Sequence, residues 1–409
     1  MKQAHSVTVD QCFGSYWSGS APNCWSYDFI IDTRTPAEFQ LDHLPGAVNW
    51  PVLDNHQRTT IGTMYQREGA FRAKREGAIL VARNIASLIE QHARALDKHA
   101  RLLIYCWRGG NRSGSLSTVL ARIGFRCDVL EGGYKAFRRW VIEDTAKRAK
   151  QLPIQIIAGR TGSGKTDLLR QLEAQAEQVI DLEALAKHRG SLLGEEPHLR
   201  QPGQRLFESQ LWFRLGQCRP EKPVWLESES RKIGMIQIPE SLIEGMRTSA
   251  HYQIEVNLSI RTKYLLKHYQ HWIDQPEGLA GQLKKLKPFM NLETFDVLMT
   301  CLSEGRLTDL VSMLLERYYD PLYDRSMSKN YRACKQVIAL DSLEPSAIRD
   351  LASSLRRESP GSTSDQHLID LQGFAVVLAI RLGNVFTSAC ARRYFRYCSD
   401  NKRPSSDAS

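Results

Sequence analysis

The sequence predicts an α/β protein of two domains, the second closing with a helical extension. Three observations carry this. A chain of 409 residues exceeds what one hydrophobic core usually serves. Short apolar runs alternate with helical stretches, the pattern of sheets joined by crossover helices. Finally, two apolar runs each end in a glycine-rich loop: Leu102-Leu103-Ile104-Tyr105 before Cys106, and Ile154-Gln155-Ile156-Ile157-Ala158 before Gly159. The boundaries read from this are 10–145 for the first domain, 146–152 for a linker, 153–357 for the second domain and 358–409 for an atypical tail.

Each element follows from local pattern. Residues 27–31 predict a strand ending at Asp32, and His43-Leu44-Pro45-Gly46-Ala47-Val48-Asn49 predicts a turn into another short strand. An amphipathic helix is expected over 79–96, a buried strand over 102–105, a helix over 113–123 and a last short strand over 127–130. The charged stretch 143–150, ahead of Pro153, supplies the linker. The second domain opens with a strand, a glycine loop and a helix over 167–175, followed by strands over 178–181 and 224–226, the latter ending at Glu227. Helical patterning then dominates 260–315, with basic and aromatic residues interleaved in Arg261-Thr262-Lys263-Tyr264 and Lys267-His268-Tyr269. Beyond Arg357, Pro360-Gly361-Ser362-Thr363-Ser364 marks an appendage.

Composition narrows the class. Lys+Arg 55 against Asp+Glu 45 gives a net charge of +10, which suits a polyanionic partner such as nucleic acid. The nine cysteines include no CxxC pair, so neither a zinc site nor a disulfide framework is expected, and a reducing cytoplasm fits. The first ten residues lack the apolar core of a signal peptide. The longest apolar run, Phe374-Ala375-Val376-Val377-Leu378-Ala379-Ile380, is far shorter than the ~20 residues a membrane helix needs, so no span is predicted.

The first loop, Cys106-Trp107-Arg108-Gly109-Gly110-Asn111-Arg112-Ser113, suits a thiolate nucleophile. A helix N-terminus and nearby guanidinium groups favour ionisation of Cys106. Gly109 and Gly110 let backbone N–H groups converge, and Arg108, Arg112 and Ser113 complete a cradle for a tetrahedral anion. Five residues separate Cys106 from Arg112, which also matches cysteine-dependent phosphatases, so phosphoester hydrolysis competes. Tyr105 stands where such phosphatases usually carry histidine.

The second loop, Gly159-Arg160-Thr161-Gly162-Ser163-Gly164-Lys165-Thr166, fits the phosphate-loop pattern. Gly159, Gly162, Ser163 and Gly164 admit close backbone approach, Lys165 supplies a cation, and Thr166 offers a hydroxyl to Mg²⁺. The ligand is ATP, GTP or another diphosphate, because the motif reads phosphates and not bases. Asp181 and Glu227, each ending an apolar strand, are the acids expected to reach Mg²⁺ through water, with no direct protein ligand to a metal. His188-Arg189-Gly190-Ser191 and Glu227-Ser228-Glu229-Ser230-Arg231 are candidate substrate contacts.

With these residues in hand the chain resembles the tRNA 2-selenouridine synthases, which join a rhodanese-like α/β domain to a P-loop NTPase-like α/β domain. The carriers are Asp32-Thr33-Arg34-Thr35-Pro36-Ala37-Glu38-Phe39, the 43–49 and 105–113 segments, and Gly132-Gly133-Tyr134-Lys135-Ala136. The phosphate loop, Asp181-Leu182-Glu183 with His188-Arg189-Gly190-Ser191, and Glu229-Ser230-Arg231 with Ile233-Gly234 complete the set, which covers 10–355. The resemblance implies an enzyme that replaces sulfur by selenium in wobble-position 2-thiouridine of tRNA, with selenophosphate as donor. It also implies S-geranylation of that sulfur from geranyl diphosphate, and a selenophosphate-supplying enzyme as neighbour. Cys106 would accept or relay selenium, and the phosphate loop would hold the prenyl diphosphate or a nucleotide. Residue 111 is Asn where this family's loop is expected to carry methionine. The competing readings are a rhodanese-fold cysteine phosphatase or sulfurtransferase fused to a kinase-like P-loop module, and a non-catalytic RNA-binding protein.

Overall fold

The computed structural model describes residues 3–13, 27–191, 193–195, 199–270, 276–331 and 334–358, so the expected tail beyond Glu358 lies outside the described residues. The chain divides into two units between Glu143 and Asp144.

The first unit runs β1 (His5–Val7), α1 (Val9–Phe13), β2 (Phe29–Asp32), α2 (Pro36–Leu41), β3 (Ala47–Asn49), α3 (Asn55–Arg67), α4 (Ala70–Gln91), β4 (Arg101–Tyr105), α5 (Asn111–Ile123) and β5 (Arg126–Leu130), and enters α6 (Gly133–Gln151). Its five strands lie in the order β1-β5-β4-β2-β3, every pair parallel. A parallel sheet is covered on both faces, which is why its central strand is the unbroken apolar run Leu102-Leu103-Ile104-Tyr105, all four fully buried. Leu102 and Ile104 pack with Ile31, Leu116 and Leu120 in one core. Asp32 sits opposite Tyr105, so β2 and β4 end side by side and their loops emerge at one edge. That edge is where open α/β sheets bind ligands.

The second unit begins within α6 and continues β6 (Ile154–Gly159), α7 (Lys165–Ala174), β7 (Gln178–Val179), α8 (Leu182–Ala186), α9 (Gln204–Gly216), β8 (Val224–Glu227), β9 (Lys232–Ile233), β10 (Ile236–Gln237), α10 (Glu240–Thr248) and β11 (His251–Val256). The helical extension is α11 (Leu258–His268), α12 (Pro276–Lys284), α13 (Leu292–Ser303), α14 (Leu307–Leu314) and α15 (Asp320–Asn330). It has its own core of Leu283, Leu286, Leu298, Cys301, Leu310 and Leu314. β12 (Cys334–Leu340) and α16 (Pro345–Glu358) close the unit. The sheet order is β12-β11-β6-β8-β7, again all parallel, with apolar clusters on both faces.

Two expectations need revision. The linker expected over 146–152 is helical as far as Gln151, because α6 continues through it. Lys147 and Lys150 are exposed, but Asp144 and Arg148 pair one turn apart, Arg148 is fully buried, and the Trp212 indole donates to Asp144 at 2.8 Å. The helix expected over 79–96 starts nine residues earlier, at Ala70, and passes into a short 3₁₀ turn at Ala93–Ala95.

Candidate active site

Cys106 leaves the end of β4 and is 3% exposed. Its sulfur accepts from the Gly110 N–H at 3.2 Å and from the Ser113 hydroxyl at 3.3 Å, both at the start of α5. Burial opposes ionisation. The Ser113 hydroxyl and the N–H groups of Ser113, Arg108 and Gly110 outweigh it, and the thiol falls below its ordinary value.

The loop keeps this shape because α6 grips it from behind. The Cys106 carbonyl accepts from the Tyr134 N–H at 2.8 Å and the Trp107 carbonyl from the Lys135 N–H at 3.1 Å. The opposing backbones meet through glycine: a Cβ on Gly133 would lie 2.3 Å from the Cys106 carbonyl oxygen and 2.5 Å from the Gly109 nitrogen. Gly133 also has φ +56°, a conformation that favours glycine.

Around the loop the structure separates residues that sequence grouped together. Ser113, Gly110 and the Arg108 N–H act directly on sulfur, and the Arg108 side chain is exposed. Arg112 is instead paired with Glu38 at 2.7 Å, with both side chains largely buried. Glu38 is fixed by a capping box with Thr35 at the start of α2. Burial raises the Glu38 carboxyl, but hydrogen bonds from Arg112 and Thr35 prevail and hold it below its ordinary range. Asp32 and Arg34 form a buried bidentate pair that stabilises the loop between β2 and α2.

In the second unit the phosphate loop joins β6 to α7. Lys165 Nζ donates to the Gly159 carbonyl at 2.8 Å, and Thr166 donates to Glu227 at 2.9 Å. Register places Glu227 opposite Ile157, at the same sheet edge as the loop. Ser163 Oγ is buried and has no protein partner among the described residues, leaving an uncommitted hydroxyl in the cradle. The helical extension braces the loop: Arg261, bidentate to Asp320 at 2.9 and 2.7 Å, donates to the Thr161 carbonyl at 3.1 Å. Arg160 is bidentate to Asp324.

Glu183, Glu227 and Glu229 bring carboxylate oxygens within 4.8 Å of one another. Burial, then mutual repulsion, raises the Glu183 carboxyl well above its ordinary range and lifts Glu229 to about 8. Burial also raises Glu227, against the pull of Lys165. Gly190 makes room for the group, since a Cβ there would meet Glu183 Oε1 at 2.6 Å and Glu229 Oε1 at 3.1 Å. Asp181, expected to be a magnesium-linked acid, caps α8 by accepting from the Ala184 N–H at 2.8 Å. Glu183 and Glu229 are the acids that gather beside Glu227; in the sequence Glu229 lies in a candidate substrate contact and Glu183 in a segment that carries the family resemblance. Their spacing gave no metal signature, because Glu183 comes from α8 while Glu227 ends β8 and Glu229 follows on the same segment.

Comparison with known proteins agrees with this division. A family model described as the tRNA 2-selenouridine synthase AAA domain matches residues 152–291, and one for the rhodanese-like domain matches residues 20–139. A tRNA 2-selenouridine synthase from Shewanella sediminis is 32% identical over 329 residues, spanning 73% of this chain and 88% of that relative. Another from Nitrosomonas europaea is 32% identical over 275 residues, spanning 66% of this chain and 70% of the relative. Among solved structures, the N-terminal domain of a protein described as ATP/GTP-binding, from Clostridium difficile 630, matches with 31% identity and a TM-score of 0.28, over 33% of this chain and 98% of that one. A cysteine loop in a rhodanese-like unit, a phosphate loop in the unit that follows, and relatives matched across both place this chain in the tRNA 2-selenouridine synthase family.

Proposed function

We propose that this enzyme is a transferase that replaces sulfur by selenium at C2 of wobble-position 2-thiouridine in tRNA, with selenophosphate as donor and Cys106 relaying the selenium. The observation that carries this reading is the Cys106 thiol, held below its ordinary ionisation range by Ser113 and loop N–H groups. A thiolate can attack the phosphorus of selenophosphate where a thiol does not: an S–P bond forms, the P–Se bond breaks, selenium leaves with its electron pair as hydroselenide, and water later releases phosphate from sulfur. The same donors suit the oxyanions of selenophosphate.

The second site takes geranyl diphosphate on this reading. Attack by the thiouridine sulfur on the allylic carbon forms a C–S bond, breaks the C–O bond and expels diphosphate. Lys165, Thr166 and the N–H groups at the start of α7 are placed to hold that leaving group. Geranylation then lets sulfur depart from C2 as geranyl thiolate while a C–Se bond forms. Thr166, Glu227, Glu183 and Glu229 are an all-oxygen donor set that fits Mg²⁺, which when bound would offset diphosphate charge.

The setting is cytoplasmic, with a selenophosphate-supplying enzyme upstream; among the described residues no helix is long and apolar enough to cross a membrane. Incubating the protein with 2-thiouridine tRNA, geranyl diphosphate and selenophosphate, then digesting to nucleosides for mass spectrometry, is expected to yield 2-selenouridine. Lys165→Ala is expected to lose geranylation. Product formation without selenophosphate, or none with it, overturns the proposal.

A further inference from the structure

We propose that Trp107 is the stacking platform on which the Cys106 loop receives the base of its RNA, with Arg108 and Lys135 meeting the flanking phosphates. This rests on the RNA-modifying function proposed above and adds how the base is held.

The indole packs at a tilt against an anchored ring. Trp107 lies 5.2 Å from the Tyr134 ring, centroid to centroid, at 36°. Tyr134 is itself buried, and its hydroxyl donates to Asp42 at 2.8 Å. The Arg34 guanidinium sits 3.9 Å from the centre of the Tyr134 ring and is locked to Asp32 by the buried bidentate pair. Trp107 keeps part of its own surface in solvent, and Arg108 and Lys135 are exposed. Lys135 is held at the loop by its N–H bond to the Trp107 carbonyl.

The burial of the nucleophile gives this arrangement a purpose. Selenium released at a sulfur in a residue only 3% exposed cannot reach the C2 position of a base still stacked in its loop. The base must leave its neighbours, and an aromatic face beside the nucleophile replaces the stacking it loses. A platform already fixed by Tyr134 and Arg34 requires little ordering on binding. Unpaired RNA bases are recognised by aromatic planes with cationic side chains alongside, the combination found here.

The test compares two anticodon stem-loop RNAs bound to the full-length protein, one with 2-thiouridine at the wobble position and one abasic there. The wild type is expected to prefer the base-bearing RNA by about 5- to 150-fold, the range of one base–aromatic stack. Trp107→Phe keeps a ring and should retain most of that preference. Trp107→Leu fills similar space without a ring and should lose it, which separates stacking from loop packing. Equal preference in the Phe and Leu variants overturns the platform. Selenium incorporation by a wild type that binds both RNAs equally also overturns it while leaving the proposed function standing. Base-dependent binding that follows the ring, without selenium incorporation, supports the platform and sinks that function instead.

Discussion

Replacing Ser113 by alanine isolates the strongest support of the thiolate. The Ser113 hydroxyl is fully buried, 3.3 Å from the Cys106 sulfur, and is the largest of the contributions that offset burial there. A hydrogen bond to a charged group is worth about 1.5–3 kcal/mol. The Gly110 N–H at 3.2 Å remains and absorbs part of the charge, so the lower figure applies. About 1.5 kcal/mol corresponds to roughly a tenfold smaller thiolate fraction at any pH below the thiol's titration. The sign follows from the direction of the shift: a group held low moves up when its donor is removed. The assay is the rate of iodoacetamide alkylation of the Cys106 peptide against pH, read by mass spectrometry so that the other cysteines do not contribute. The Ser113→Ala curve should move to higher pH, with the two variants converging in strong alkali. Coincident curves, or a shift to lower pH, would refute the account of how this loop activates sulfur.

Other predictions follow from the same geometry. Gly133→Ala places a methyl group 2.3 Å from the Cys106 carbonyl oxygen, so the loop must move and alkylation should revert towards that of an ordinary buried thiol. Asp144→Ala removes the carboxylate that pairs with buried Arg148 and accepts from Trp212, and should destabilise the second unit by about 3 kcal/mol in thermal unfolding; no change in its melting would count against a structural role. Glu38→Gln should lower stability by about 1 kcal/mol at neutral pH. Because the Glu38 carboxyl is held below its ordinary 4.5, that contribution is complete above this value and fades as pH falls through the lower folded value, so variant and wild type should converge in acid.

Both loops were legible because each is a contiguous word whose residues act within one turn of chain: Cys106, Gly110 and Ser113 in one, Gly159 to Thr166 in the other. What escaped was assembled across sequence. Glu38 meets Arg112 from 74 residues away, so an arginine expected to be available for an oxyanion is already committed to a carboxylate. Glu183 joins Glu227 and Glu229 only because the first turn of α8 lies beside the end of β8. The linker was misplaced because Asp144 and Arg148 read as solvated charge when they are an internal pair. β11 passed unnoticed because His251, Gln253 and Glu255 break its apolar run, although it lies between β6 and β12 inside the sheet. Its hydrogen bonds to both neighbours, rather than its side chains, define it as a strand.

The most direct test of the central idea is where the phosphoryl group of selenophosphate attaches to the protein as selenium is released. After incubation with selenophosphate, peptide mass spectrometry should find one phosphoryl group on the peptide containing Cys106 and none there in Cys106→Ser, which should also lose conversion of 2-thiouridine tRNA. A phosphoryl group on another residue, or full turnover by Cys106→Ser, would contradict the account.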